Sequence, residues 1–148
     1  QPLVTVGLWA PDAAQLAGCL DGLQAAGDPP APLSWAQVVA YAPEVLVVCG
    51  DLAAGGRARV WADLCAAAAL PGFWLLPAVR AGAVFVVERA LLARAGPRLV
   101  DGVEALARMA HADGVPCCAP PGAALKLSLR PGQRCRPRLL PSYFVAYS

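Results

Sequence analysis

Histidine is almost missing from this chain: His111 is the only one. The six cysteines Cys19, Cys49, Cys65, Cys117, Cys118 and Cys135 form no Cys-x-x-Cys pair, so the familiar zinc spacings are excluded. The glycines of residues 50–56 lack the spacing and the lysine of a phosphate loop, and no Gly-x-Ser-x-Gly elbow occurs. Asp12, Asp21, Asp51 and Asp63 show no spacing that pairs carboxylates on one surface. His111, at a helix end, reads as a partner for that helix's negative pole rather than as a general base. Cys49 could offer a thiol at a strand end, but nothing near it in sequence would activate it. The chain is therefore expected not to be an enzyme. Long apolar runs are also missing: residues 65–70 and 45–49 stop far short of the roughly 18 residues of a spanning helix. Charge is scarce as well. A formal net charge of +2 without basic and aromatic residues interleaved makes no nucleic-acid footprint. The one basic cluster, Arg130, Arg134, Arg136 and Arg138, alternates with proline and reads as a solvated segment.

What is present suits one domain with its own core. The chain has 148 residues and is 58% apolar, much of it alanine. Residues 3–9 carry Val4, Val6 and Leu8 and read as a strand. Pro11 and Asp12 open a helix through Gln24, with Leu16, Cys19, Leu20 and Leu23 as its apolar stripe and Gly27 as its stop. Ser34 caps a second helix over residues 35–41, with Gln37 as capping-box partner. Residues 45–49 form a continuous apolar run, the pattern of a strand buried on both faces. A helix is expected over 57–70, a helical turn within 73–79, a strand over 84–87, a loop over 88–96, and a helix from Pro97 to Ala110 with Leu99, Val103, Leu106 and Ala110 on one stripe. Composition changes after Gly114. Residues 125–129 alternate like a half-exposed strand, and 143–147 could complete a hairpin. The expected fold is α/β: a three-layer αβα lobe over 1–114 with a mostly parallel sheet, plus a Pro/Cys-rich loop and short strand pair over 115–148. Cys49 and Cys65 are expected as buried thiols, and one disulfide among Cys117, Cys118 and Cys135 stays open.

In open α/β sheets, ligands bind beyond the carboxyl ends of the strands. Three connections here leave such ends: residues 9–12, 50–56 and 88–96. If their strands are parallel neighbours, the connections share one rim. That rim would offer Trp9 as an aromatic platform, the backbone of Cys49 and Gly50 for close approach, and Arg89 and Arg94 as cations, a set suited to a flat ligand with an amide or anionic periphery.

A family resemblance rests on these same residues. The strand and tryptophan of Gly7-Leu8-Trp9-Ala10-Pro11, the segments Leu33-Ser34-Trp35-Ala36-Gln37 and Ala42-Pro43-Glu44-Val45-Leu46-Val47-Val48, and the pair Cys49-Gly50 follow one another in order. Pro71-Gly72-Phe73-Trp74, Leu76-Pro77-Ala78-Val79-Arg80-Ala81-Gly82 and Arg94-Ala95-Gly96-Pro97-Arg98-Leu99-Val100-Asp101-Gly102 complete the series. Over roughly residues 4–111 the chain resembles the C-terminal lobe of class III periplasmic substrate-binding proteins, the type that captures cobalamin or iron-siderophores. The resemblance implies ligand capture between two lobes, with cobalamin, haem or a ferric siderophore as ligand and no required cofactor. Together with the strand-end pattern, it makes Trp9, Pro11, Cys49, Gly50, Asp51, Arg89 and Arg94 the candidate ligand-binding residues. A second lobe or further domain and a membrane ABC-type importer are the implied partners, in an extracytoplasmic setting, with this chain a piece of something longer. The alternative is a degenerate lobe reused as a structural or protein-interaction module.

Overall fold

The computed structural model describes residues 3–53, 55–92, 96–111 and 122–147. At its start, the strand expected over residues 3–9 is reduced to β1 (Leu3–Val4), which pairs antiparallel with β2 (Pro32–Leu33) in a small sheet of its own. Thr5 continues the contact: its N–H donates to the Ala31 carbonyl (3.0 Å) and its hydroxyl accepts from the Ala31 N–H (2.9 Å). The extended backbone stops there because Gly7 (φ +71°) and Leu8 (φ +53°) are both left-handed. A Cβ on Gly7 would sit 2.6 Å from the Pro30 nitrogen, so no other residue fits that bend.

Helix α1 (Ala10–Leu16) begins with Pro11 in its first turn, as expected, but ends a full eight residues before Gln24. Gly18 takes a left-handed conformation (φ +77°); its N–H donates to the Gln15 carbonyl and the Cys19 N–H to the Ala14 carbonyl. That pair of bonds is a Schellman stop, and it overrides the apolar periodicity beyond it. Leu16 and Leu20, expected on the buried stripe, are 78% and 84% exposed. Pro11, Ala13 and Ala17 are the buried residues of this segment.

Helix α2 (Trp35–Tyr41) matches its expected bounds, and the capping box forms: the Gln37 N–H donates to Ser34 Oγ (3.2 Å) and the Ser34 N–H to Gln37 Oε1 (2.9 Å). Then follow β3 (Leu46–Gly50), α3 (Arg57–Ala68), a 3-10 turn (Phe73–Leu75), α4 (Pro77–Arg80) and β4 (Val84–Glu88). The loop expected over 88–96 opens instead with a helical turn, α5 (Arg89–Leu92). Helix α6 (Arg98–His111) buries Gly102, Ala105, Leu106 and Met109, a stripe rotated from the expected one. Strand β5 (Ala124–Leu127), a 3-10 helix (Pro137–Tyr143) and β6 (Phe144–Ala146) complete the described chain.

The main sheet runs β3-β4-β5-β6. Strands β3 and β4 are parallel, in register from Leu46 opposite Val84 to Gly50 opposite Glu88. The β4–β5 and β5–β6 pairs are antiparallel, so the sheet is mixed rather than mostly parallel. The helical connection between β3 and β4 can return the chain to a parallel strand, whereas the route from β5 to β6 reverses it, beginning with a turn in which the Gln133 N–H donates to the Arg130 carbonyl (3.0 Å). The hairpin expected at the end therefore forms. It is not an appendage: β5 is an interior strand, with Ala124, Leu125 and Leu127 buried. The polar member of its alternation, Lys126, lies over the rings of Phe85 and Tyr147 (5.6 and 5.7 Å), which accounts for a lysine inside the sheet. Strand β3, expected to be covered on both faces, is only half-buried because it is an edge.

Side chains alternate across β4. Val84 and Val86 pack with Val60 and Leu64 of α3, Phe73, Val79 and Leu140. Phe85 and Val87 pack with Ala13 and Ala17 of α1 and with Ala105, Leu106 and Met109 of α6. All four β4 valine and phenylalanine side chains are at most 1% exposed, so this strand is the centre of the mixed α/β core.

Candidate functional site

The carboxyl ends of the parallel pair lie abreast at Gly50 and Glu88. Glu88 ends an otherwise apolar strand, and its Oε2 accepts from the Leu52 N–H (2.9 Å), pinning the connection that leaves β3. Asp51 is exposed, and its Oδ1 accepts from the Ala53 N–H (3.0 Å), a local turn bond that holds the same connection. Gly50 is buried; a Cβ there would collide with a Val60 methyl, so its lack of a side chain serves the close approach of α3 to the strand.

Trp9 sits just ahead of α1, half-buried, and its Nε1–H donates to the Leu92 carbonyl at the end of α5 (3.0 Å). Since α5 begins at Arg89, directly after Glu88, this bond brings the N-terminal turn to the same end of the sheet as Gly50 and Asp51. Trp9, Gly50, Asp51 and the exposed Arg89 are therefore brought to one region. Arg94 lies outside the described residues.

Two of the expected site residues look inward. Pro11 is buried in the first turn of α1 and serves that helix's start. Cys49 packs into the cluster around Phe85 and Val87. Burial pushes its thiol up to about 12, against a smaller opposing pull from the nearby Arg89 guanidinium. A thiol held neutral this firmly is a poor nucleophile. Burial also raises the Cys19 and Cys65 thiols, and among the described residues Cys19, Cys49, Cys65 and Cys135 form no disulfide with one another. Cys117 and Cys118, and with them any disulfide to Cys135, fall outside the described residues.

Sequence reasoning missed the two groups that tie the region together, the Glu88 carboxylate and the Leu92 carbonyl. Glu88 had a visible signal, an acidic residue closing a run of valines; a backbone carbonyl has none. His111 also differs from expectation. Its Nε2 lies 2.9 Å from the Ala17 carbonyl, which can only accept, so the ring donates to the end of α1 and joins two helices.

Two shallow hollows lie elsewhere. One of about 570 Å³ is lined by Ser128, Arg130, Gln133, Ser142 and Tyr143 among others. The other, about 700 Å³, is lined by Cys65, Ala66, Ala69, Arg136, Arg138 and Leu139 with Pro137. Among the described residues no group of three potential metal ligands occurs, and no helix is long and apolar enough to cross a membrane. No family model matches the chain, and no curated protein and no solved structure matches it.

Proposed function

We propose that the chain is a ligand-binding lobe of three-layer αβα type that captures a bulky cobalamin- or siderophore-like compound without covalent chemistry. The observation that supports this reading is the Trp9–Leu92 bond, which ties the indole to the helical turn directly after β4. The carboxyl edge of a parallel pair is where open α/β sheets receive ligands. The Trp9 ring would supply a stacking face, Arg89 a cation for an anionic periphery, and the connection after Gly50 a backbone surface. Capture would come from closure against a second lobe, followed by release to an importer in an extracytoplasmic setting. No step of this mechanism makes or breaks a bond, and the neutral Cys49 thiol is in keeping with that.

The test is an absorbance titration of the purified chain with cobalamin and with haem, repeated on W9A and on a longer product that carries a second lobe. A spectral shift that weakens in W9A supports the reading. Silence in both the chain and the longer product discards it.

A second reading, a lobe reused as a structural or interaction module, draws on how fully the rim groups are bonded. Rim groups are already engaged internally: the Trp9 N–H by Leu92, the Glu88 carboxylate by Leu52, and Asp51 by Ala53. If neither compound binds while the chain co-purifies with a protein partner through this rim, the module reading stands.

A further inference from the structure

Charge is unevenly divided along this chain. Residues 1–113 hold all ten acidic residues and seven basic ones, whereas residues 114–148 hold five basic residues and no acidic one. Such asymmetry within one domain points to a charged partner. The fold gathers the basic residues further. Arg130, Arg134, Arg136 and Arg138 are all exposed, and no carboxylate of the described residues lies within ion-pair distance of them. Arg130 lines the hollow with Ser128, Gln133, Ser142 and Tyr143. Arg136 and Arg138 line the neighbouring hollow, whose floor is Cys65, Ala66 and Ala69 of α3 and its end. The 3-10 helix Pro137–Tyr143 packs along α3 and stands between the two.

We propose that this surface docks an acidic segment of a partner protein that carries a large apolar side chain between carboxylates. Guanidinium groups pair with carboxylates in a planar, two-bond geometry that lysine cannot reproduce, and Arg130, Arg136 and Arg138, which line the two hollows with no ion pair to a carboxylate of the described residues, are available for it. The alanine floor between Arg136, Arg138 and the half-exposed Leu139 is a recess, the shape that accepts a side chain. A bilayer would call for a broader apolar face than the exposed Leu139 and Val145 offer. Single-stranded nucleic acid would call for aromatic faces among the arginines, and the aromatic residue lining the hollow at Arg130, Tyr143, is buried. The surface is separate from the Trp9 region, so it stands or falls independently of ligand capture.

The experiment uses the full chain and a fluorescent synthetic peptide of glutamates flanking one phenylalanine. Oligoglutamate, phosphatidylserine vesicles and a single-stranded DNA oligonucleotide are tested in parallel. The peptide is expected to bind more tightly than oligoglutamate, with affinity falling as salt rises. The double substitution R136E/R138E is expected to weaken it by about tenfold or more, and A66W, which fills the recess, is expected to weaken the peptide but not oligoglutamate. All three substituted positions are exposed, and R136Q/R138Q serves as the neutral counterpart if the charge reversal alters the thermal melt. Absence of peptide binding would overturn the proposal. So would binding by R136E/R138E and R136Q/R138Q as tight as the parent's, tighter binding to vesicles or DNA, or self-association of the chain that the arginine substitutions abolish.

Discussion

The stretch from β3 to β4 and the arm that precedes it are built from similar residues and end differently. Val84, Phe85, Val86 and Val87 are essentially sealed from solvent. Leu3 and Val4, equally strand-like in sequence, are 37% and 55% exposed in a two-residue pairing. Farther along the arm Leu16 and Leu20 face water, while Val60 and Leu64 of α3 are buried. Apolar content does not separate the two regions. Position in the sheet does: β4 has hydrogen-bonded neighbours on both sides and helices against both faces, whereas left-handed Gly7 and Leu8 turn the arm away before it can join.

Substitutions can widen or erase this contrast. The largest loss is expected for F85A, which empties a site shared by Ala13, Leu106 and Tyr147 and should cost about 3–5 kcal/mol in urea unfolding. A cost below about 1 kcal/mol would mean β4 is not the centre of the core. Alkaline pH should act next. Below pH 9 the Cys49 thiol is protonated in both folded and unfolded chains. Above it the unfolded thiol ionises while the folded one, raised to about 12, does not. Stability should therefore fall as pH climbs from about 9 toward 12, by at most about 1.4 kcal/mol per pH unit from this group. C49A should flatten that part of the profile. G102A should cost about 1–3 kcal/mol, because its methyl would run into the Leu91 carbonyl where α6 crosses α5. S34A removes one half of the capping box and should cost about 1 kcal/mol. At the small end, L16A and L20A should stay within about 0.5 kcal/mol of the parent. A larger loss there would show the arm packed against something, and the contrast would fail.

Legibility in the sequence followed the same divide. Helix α2 was readable to the residue because its stop and start are local chemistry: Ser34 with Gln37 at one end, Pro43 beyond the other. Strand β4 was readable because its valines also pack where the pattern predicts. Helix α1 was overextended because one glycine, Gly18, can end a helix whose apolar spacing continues, and periodicity does not weigh that. The place of β5 was misread for a different reason. Leu125-Lys126-Leu127 alternates like a surface strand, and only the Phe85 and Tyr147 rings beneath Lys126 let that lysine sit within the sheet. At the candidate site, Trp9, Gly50, Asp51 and Arg89 were legible as residue types near strand ends. The bonds that assemble them were not, since they end on a main-chain carbonyl and on a glutamate assigned to the strand.

Because β5 lies between β4 and β6, the inner strands cannot finish pairing until residue 146 has left the ribosome. Phe85 waits some forty residues for Lys126, and Leu125 waits for Ala146. Until then β4, whose Val84, Phe85, Val86 and Val87 end sealed from solvent, has an open flank, and aggregation competes with folding during that interval.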